Sequence, residues 1–140
     1  MTLTEHRGNV FEVRGLDVHF THCIASDLCM GAGIAVDFQH RFGLRGKLLD
    51  SGEPLASPTC VLVGKVFCLI TKRRSCGKPT IQSMRMAVRR MAEIVAERGI
   101  LRIAMPRIGC GLDRLGWAEV RAVLMEELGG TGVAVEVYRL

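Results

Sequence analysis

A long amphipathic segment between two short apolar runs constrains the fold more than any other feature of the sequence. From Thr80 to Arg98, apolar side chains recur at a 3-4-3-4 spacing, which predicts a helix that ends at Gly99. The apolar run Val66–Ile70 precedes this helix and the run Ile100–Met105 follows it, and both have the length of strands. This order of elements predicts a mixed α/β fold.

The rest of the chain continues the same alternation. Val61–Val63 and Val66–Ile70 are joined by a glycine and a lysine, which predicts a hairpin whose second strand lies inside the sheet. In Asp17–Ile24, the side chains Val18, Phe20, His22 and Ile24 occupy alternate positions, which predicts a strand with one buried face. The other predicted elements are strands at Leu3–His6 and Val133–Tyr138, helices at Gly33–Phe42 and Trp117–Leu128, and a loop at Ser51–Thr59.

The composition is that of an ordinary globular protein. With 140 residues, 49% hydrophobic and 24% charged, the chain is long enough for one compact domain over residues 1–140. No stretch approaches the roughly 20 apolar residues that a membrane span needs. The segment Met1–Phe11 carries charges where a signal peptide is apolar, so we expect a cytoplasmic protein without a membrane anchor. We also expect a monomer.

The cysteines and histidines do not have the spacing of a metal site. Six cysteines occur, but no C-x-x-C pair, and the four histidines do not combine with them at zinc-finger spacing. Because no export signal is evident, reduced thiols are the expected state. The sequence therefore predicts no metal and no cofactor.

The net charge of +5 comes mostly from arginine. Guanidinium groups suit phosphates and carboxylates, so anionic partners fit this composition. Taken alone, however, the charge is better explained by solvated helix faces than by a nucleic-acid surface. A basic nucleic-acid-binding domain nevertheless stays open as one function, and the arginines that would form its surface are Arg73, Arg74, Arg85, Arg89 and Arg90.

Two glycine-rich segments follow predicted strands. One is Met30–Ile34 and the other is Arg107–Asp113. Glycine lets a backbone approach a ligand closely, and N–H groups at a helix N-terminus favour anions such as a diphosphate. A single Gly-x-Gly is as often a simple turn. If the strands run parallel, however, both segments and the exit of Val66–Ile70 face one crevice.

Lys72 and Asp113 are the candidate catalytic side chains. Lys72 follows the third of these strands, and Arg73 and Arg74 come directly after it, so nearby positive charge and partial burial would lower its pKa and make it nucleophilic. The alternative is a lysine that pairs with phosphate or a solvated basic turn. Asp113 ends the second glycine segment as a candidate acid or base. The alternatives are a helix cap, which is the commoner role, and a partner for Arg114.

Two further residues near these segments have simpler explanations than catalysis. His22 lies on the strand face with Phe20 and Ile24, which favours a satisfied core histidine. Cys110 lies inside the second glycine segment, but no adjacent histidine supplies a base, so we expect only a contact role.

These residues resemble a known family, the macro domains, and within it the group of the terminal ADP-ribose protein glycohydrolase. The likeness runs from about Leu3 to Leu140. It implies a three-layer α/β/α fold with a central mixed sheet. The segments that carry it are His22-Cys23-Ile24, Met30-Gly31-Ala32-Gly33-Ile34-Ala35-Val36, Leu69-Ile70-Thr71-Lys72, Lys78-Pro79-Thr80, and Met105-Pro106-Arg107-Ile108-Gly109-Cys110-Gly111-Leu112-Asp113-Arg114-Leu115 with Trp117.

The resemblance also implies an activity and a site. A lysine matching Lys72 attacks the anomeric carbon of the distal ribose, and a carboxylate matching Asp113 activates the sugar, without a metal. The substrate would be mono-ADP-ribose attached to the carboxylate of a protein side chain or to a nucleic acid base, or O-acetyl-ADP-ribose. The alternative function is a non-catalytic ADP-ribose reader. The implied ADP-ribose-binding residues are Asn9, Val10, His22, Ala25, Gly31, Ala32, Gly33, Ile34, Arg107, Ile108, Gly109, Cys110, Gly111, Leu112 and Leu140.

The sequence departs from the family mainly at the adenosine end. Asn9 stands where the family usually has an acidic residue beside the adenine amino group, and an amide accepts that hydrogen bond without charge assistance. Ala25 replaces a small hydroxyl residue, Cys29 replaces a basic one, and the stretch from Val10 to Asp17 is longer by one residue. Weaker binding of adenine is therefore expected.

Overall fold

The computed structural model describes residues 1–140 and contains six strands and four α-helices. One 3-10 turn, Val10–Glu12, follows the first strand. In chain order the elements are β1 (Thr2–Arg7), β2 (His19–Ala25), α1 (Ile34–Phe42), α2 (Leu44–Asp50), β3 (Thr59–Val63), β4 (Val66–Lys72), α3 (Ile81–Arg98), β5 (Arg102–Pro106), α4 (Trp117–Leu128) and β6 (Ala134–Arg139).

The strands form one mixed sheet in the order β1-β6-β5-β2-β4-β3. Only β3 runs antiparallel, and it pairs with β4 through the predicted hairpin. The assumption that β2, β4 and β5 run parallel is confirmed. Because carboxyl ends of parallel strands meet at one edge of a sheet, the loops after these three strands lie at the same edge.

The pairing between β2 and β5 is short. Their ladder contains two pairs, His19 with Ile103 and Phe20 with Ala104, whereas β2 pairs with β4 along nearly its whole length. Beyond Phe20, β2 has no partner on its β5 side, and its C-terminal half lines an open cleft. A gap between parallel strands at their carboxyl ends is where α/β sheets commonly bind ligands.

Each face of the sheet buries its own hydrophobic core. In β4, Phe67 and Leu69 belong to a core shared with α3 and α4, while Cys68 and Ile70 belong to a second core that contains residues of α1 and α2. This alternation follows from the two-residue period of a strand. Helices on both faces of the sheet make the predicted three-layer α/β/α fold.

Helix α2 was not predicted from the sequence. Gly43 has φ 59° and ends α1 as expected, but the same residue also begins α2. Leu44 and Leu48, four residues apart, are fully buried and hold this short helix against the sheet. Gly46 interrupts the helix-forming residues, which hides the pattern. The remaining predicted elements are confirmed within two residues at each end.

The structure contains no helix that is both long enough and apolar enough to cross a membrane.

Candidate active site

A cleft of about 1300 Å³ opens at the carboxyl ends of β2, β4 and β5. Both glycine-rich segments, the exit of β4 and the last residues of the chain line this cleft. The structure brings every site residue predicted from the sequence to its wall: Asn9, Val10, His22, Ala25, Gly31, Ala32, Gly33, Ile34, Lys72, Arg107, Ile108, Gly109, Cys110, Gly111, Leu112, Asp113 and Leu140.

The first glycine segment forms the entrance to helix α1. Gly33 is the N-cap residue, and its φ of 61° with ψ of −153° is a conformation that side chains other than glycine rarely adopt. No side chain caps the helix, and the N–H groups of Ala32 and Gly33 donate to no protein acceptor. The first turn of α1 therefore offers free donors and the positive end of a helix dipole to the cleft.

The second glycine segment turns tightly after β5. Gly109 has φ 72°, and a Cβ atom there would lie 2.7 Å from Met84 Cε and 3.0 Å from Leu115 Cδ1. Glycine is therefore required by both conformation and space. Farther along the segment, the N–H groups of Gly111 and Leu112 have no acceptor within the chain. Both segments thus present unpaired backbone donors, the groups that a diphosphate accepts hydrogen bonds from.

The two glycine segments touch each other across the cleft. A Cβ atom on Gly33 would lie 3.0 Å from Cδ1 of Leu112, so the leucine side chain packs over the first segment. Lys78 Nζ donates to the carbonyl oxygen of Leu112 at 2.6 Å and holds the second segment in place. In the sequence Lys78 was identified only as part of a motif, and this contact shows its structural role.

Lys72 and Asp113 form an ion pair inside the cleft. Lys72 Nζ lies 2.7 Å from Asp113 Oδ1, and the two side chains are 15% and 14% exposed. Nζ also donates to the carbonyl oxygens of Ser75 and Gly77, both at 3.2 Å. Asp113 neither caps a helix nor pairs with Arg114, because its partner is Lys72. An amine and a carboxylate this close can exchange a proton directly.

The arginines after Lys72 do not surround its amine. Arg73 and Arg74 are exposed, whereas Nζ contacts three oxygen atoms. The expectation that neighbouring positive charge activates this lysine is therefore not what the contacts show. The group next to Nζ that can accept its proton is the carboxylate of Asp113.

Asp27, which was not predicted as a site residue, joins the loops after β2 and β4. Its carboxylate accepts the N–H of Ser75 at 2.8 Å and the N–H of Cys29 at 2.9 Å. These bonds, with that from Ser75 the largest cause, lower the pKa of Asp27 below its usual value. Since the carbonyl of Ser75 in turn accepts from Lys72, Asp27 braces the turn that holds the lysine.

His22 is buried on β2, as the alternation predicted, and stacks on Phe38 with ring centroids 4.4 Å apart. Its Nε2 contacts Cys68 Sγ at 3.5 Å. Burial lowers the pKa of His22 to about 3, so the ring is neutral at physiological pH. The expectation of a fully satisfied histidine is wrong, because Nδ1 has no hydrogen-bond partner.

Two thiols of the cleft, those of Cys23 and Cys110, are poor nucleophiles. Burial raises the pKa of Cys110 and, more strongly, that of Cys23, so both stay protonated at neutral pH. Cys110 Sγ contacts the carbonyl oxygen of Ile108 at 3.4 Å, in agreement with a contact role. No group of three or more histidine, cysteine or acidic side chains is arranged to hold a metal ion.

The opposite end of the cleft is lined by the start and the end of the chain. Val10 and Ala25 are buried there, whereas Leu140 is 90% exposed. Asn9 caps the 3-10 turn, and its Oδ1 accepts the N–H of Phe11 at 2.9 Å. The amide oxygen of Asn9 thus already accepts one hydrogen bond from the chain, and weaker adenine recognition stays a prediction.

Several residues of the cleft were not identified from the sequence. Phe11 packs against Phe38 at 4.8 Å, and the guanidinium of Arg41 lies 4.5 Å from the Phe11 ring centroid. The sequence does not predict this pairing of a cation with an aromatic ring, because Phe11 and Arg41 are 30 positions apart. The other unpredicted lining residues are Gly8, Cys23, Ile24, Cys29, Ala35, Asp37, Ser75, Cys76, Lys78, Pro106, Tyr138 and Arg139.

Three of the five arginines that would form a nucleic-acid-binding surface are neutralised by ion pairs. Arg85 and Arg89 on α3 both bind Glu127 on α4, with the shortest distance 2.8 Å. Arg90 pairs with Glu93 on its own helix at 2.7 Å. These arginines therefore tie the helices together and cover their faces, as expected of solvated helical surfaces.

The fold is that of a macrodomain. The macrodomain of Mycobacterium tuberculosis DarG superposes with a TM-score of 0.84 at 18% identity, covering 99% of this chain and 98% of that one. Thermosipho africanus DarTG, solved in complex with ADP-ribose, superposes with a TM-score of 0.75 at 20% identity over 98% of this chain and 41% of that one. Identities this low establish the fold alone.

Sequence similarity defines the family more closely. No family model matches the chain. The curated bovine protein ADP-ribose glycohydrolase OARD1, from Bos taurus, is 38% identical over 141 residues, which cover 99% of this chain and 91% of the relative. The chain belongs to the family of the ADP-ribose glycohydrolase OARD1.

Proposed function

We propose that this protein hydrolyses the bond between ADP-ribose and a modified target, with Lys72 as the nucleophile and Asp113 as the acid or base. The observation that carries this proposal is the 2.7 Å contact between Lys72 Nζ and Asp113 Oδ1, in a cleft lined by two glycine segments with unpaired N–H groups. The related ADP-ribose glycohydrolase OARD1 supports the same activity.

The cleft has the size and the donors for an ADP-ribose molecule. Its volume of about 1300 Å³ exceeds that of an ordinary small-molecule site, roughly 300–1,000 Å³. In the proposed complex, the free N–H groups of the two glycine segments bind the diphosphate. The adenosine lies at the end formed by Asn9, Val10, Ala25 and Leu140, and the distal ribose lies beside Lys72.

The proposed reaction passes through a covalent adduct. Asp113 accepts a proton from the Lys72 ammonium, and the neutral amine attacks the anomeric carbon while the bond to the target carboxylate breaks. After Asp113 has lost its proton to solvent, water attacks the anomeric carbon. The proton of this water passes through Asp113 to the Lys72 nitrogen as the C–N bond breaks, which frees ADP-ribose and restores the ammonium. The adduct divides one difficult step into two easier ones.

We further propose that the target is a carboxylate ester of a protein side chain, with a nucleic acid base and the acetyl ester of ADP-ribose as other leaving groups to be compared. The carboxylate is favoured because it is a stable anion that leaves without prior protonation. A single domain over residues 1–140, acting as a monomer in the cytoplasm, remains our prediction.

Kinetics of two variants test this function. Lys72→Ala should abolish release of ADP-ribose from carboxylate-linked conjugates and leave ADP-ribose binding by calorimetry within a few-fold, whereas Asp113→Asn should slow release by at least about a hundredfold. Lys47→Ala, at an exposed lysine outside the cleft, is the matched control.

Two outcomes would contradict the proposal. Unimpaired turnover by Lys72→Ala would exclude the lysine mechanism. Equal inactivity of the native protein and Lys72→Ala on carboxylate-, base- and acetyl-linked ADP-ribose, together with tight binding of ADP-ribose, would instead identify a reader. Products are identified by mass, so the linkage that is cleaved is read in the same experiment.

A further inference from the structure

A second, smaller pocket lies beside the cleft at the carboxyl ends of β1 and β6. Its volume is about 190 Å³, and it lies on the sheet face covered by α4, since Val137 belongs to the core of that face and Glu5 contacts α4. Three of its six lining residues are arginines. The full lining is Glu5, His6, Arg7, Arg107, Val137 and Arg139.

Two of these arginines stand side by side without an acidic partner. Arg7 and Arg139 are register partners in the parallel ladder of β1 and β6, and both side chains line the pocket. Neither arginine lies within 4.0 Å of a carboxylate. By contrast, the two glutamates on these strands have partners, since Glu5 binds Arg107 and Arg121, and Glu136 binds Arg102. Like charges on adjacent strand positions repel each other unless an anion lies between them.

The carboxylate in the pocket does not remove this excess of positive charge. Glu5 Oε1 accepts the indole N–H of Trp117 at 2.8 Å, and Oε2 lies 3.3 Å from Arg121 Nε. The hydrogen bond from Trp117 lowers the pKa of Glu5, which keeps it ionised. Arg107 reaches Glu5 only at 3.5 Å. Glu5 thus holds Arg107 in position while it is engaged mainly elsewhere.

The size and the charge of the pocket define its ligand. Three guanidinium groups and one carboxylate give an excess of two positive charges, and planar guanidinium forks match the oxygens of a phosphate. A volume of about 190 Å³ lies below the roughly 300 Å³ at which sites for whole small molecules begin. The pocket therefore has room for one phosphate group.

We propose that Arg7, Arg107 and Arg139 form a phosphate-binding site separate from the one that the two glycine segments provide. Arg107 and Arg139 line both cavities, so a phosphate here lies next to the nucleotide cleft at its adenosine end. The phosphate is either free in solution or an ester carried by the nucleotide itself. The binding of phosphate does not depend on whether the cleft is catalytic.

Phosphate titration of the full chain tests this site. Inorganic phosphate should raise the unfolding temperature more than chloride at equal ionic strength, and it should do so equally when the cleft is saturated with ADP-ribose. Arg7→Gln with Arg139→Gln should weaken phosphate binding at least about tenfold by calorimetry. Arg98→Gln, at an exposed arginine outside both cavities, should have no effect. The single variant Arg7→Gln repeats the test if the double variant unfolds.

A second comparison identifies the source of the phosphate. If ADP-ribose bearing an additional phosphate on the adenosine ribose binds more tightly than ADP-ribose, and only with both arginines present, the phosphate belongs to the nucleotide. If the two bind equally while inorganic phosphate still binds beside ADP-ribose, the ligand is free phosphate. Competition between inorganic phosphate and ADP-ribose, or phosphate binding unchanged in the arginine variants, would overturn the proposal.

Discussion

Lys72 obtains its chemical setting from residues distant in the sequence. Its ammonium group contacts Asp113, 41 positions away, and two carbonyl oxygens of the turn that follows β4. The sequence identified both members of the pair, since each directly follows a strand or ends a glycine segment. The sequence pointed to Arg73 and Arg74 as the neighbours of the amine, whereas both arginines are exposed and the fold places the carboxylate of Asp113 beside Nζ.

Gly33 tests the geometry of the first glycine segment. Because its φ is 61° and a Cβ atom would lie 3.0 Å from Leu112, Gly33→Ala should lower the free energy of unfolding by about 1–3 kcal/mol. It should also weaken ADP-ribose binding at least about tenfold. Urea unfolding and calorimetry measure the two effects.

Gly111→Ala is the matched control, since no atom lies within 4 Å of a Cβ placed there. Equal losses of stability in both variants would show that the strained conformation of Gly33 is not the cause.

His22 predicts a specific dependence of stability on pH. Its folded pKa of about 3 lies below the value near 6.5 of an unfolded histidine, so below pH 6.5 the unfolded chain binds a proton that the folded chain excludes. The contribution of neutral His22 to the free energy of unfolding is thus fully present above pH 6.5 and is lost as the pH falls towards 3. Between pH 6.5 and 5 this group should remove about 2 kcal/mol of unfolding free energy.

Denaturant unfolding at pH 7 and pH 5 measures this loss. His22→Gln should be less stable at pH 7 but less sensitive to acid than the native protein. The exposed His40→Gln should keep the native sensitivity, and His19, whose pKa burial also lowers, supplies a smaller part of it. An unchanged acid sensitivity in His22→Gln would show that the ring is already protonated in the folded protein.

At the scale of elements, the parallel arrangement of β2, β4 and β5 could be predicted from the sequence, whereas the open cleft between β2 and β5 could not. Apolar runs, helix periodicity and terminal glycines located the strands and three helices, because each signal lies within a few neighbouring residues. Helix α2 and the 3-10 turn were missed, since both are short and owe their place to burial of Leu44, Leu48 and Val10 in the tertiary core.

The loop after β2 and the loop after β4 are joined by one side chain, Asp27. Asp27→Ala removes the acceptor for the N–H groups of Ser75 and Cys29. Because the Ser75 carbonyl orients Lys72, we expect kcat to fall by about tenfold to a hundredfold with little change in KM.

Steady-state kinetics provide the test, with the exposed Asp50→Ala as control. A rise in KM without a loss of kcat would mean that Asp27 acts in substrate binding and not in positioning the nucleophile.

For the whole molecule, the cleft depends on the topology of the sheet. The motifs that carry the resemblance identified residues that all line the cleft. The short β2–β5 ladder that opens the space between them is a tertiary property that the motifs do not show. The arginine pocket was likewise invisible in the sequence, since Arg7 and Arg139 lie near opposite ends of the chain and meet only through the pairing of β1 with β6.

Ligand binding should stabilise the entire fold, because both glycine segments connect core elements. At a concentration one hundred times its dissociation constant, ADP-ribose should add about 2.7 kcal/mol to the free energy of unfolding. For a chain of 140 residues this raises the unfolding temperature by roughly 8 °C. Scanning calorimetry measures the shift.

Ribose 5-phosphate at the same molar concentration is the comparison. Because it cannot span both segments, it should bind more weakly and raise the unfolding temperature less. A nucleic-acid-binding domain would instead be stabilised by oligonucleotides in a strongly salt-dependent way and would be indifferent to ADP-ribose.

The central claim is that the Lys72 amine bonds to the distal ribose during turnover. Rapid acid quenching of the native protein with a carboxylate-linked ADP-ribose conjugate, followed by reduction and peptide mass mapping, tests it directly. An ADP-ribose-derived adduct on the peptide containing Lys72, and on no other lysine, is the predicted result. Full turnover with no adduct at Lys72, or an adduct only on another residue, would contradict the account.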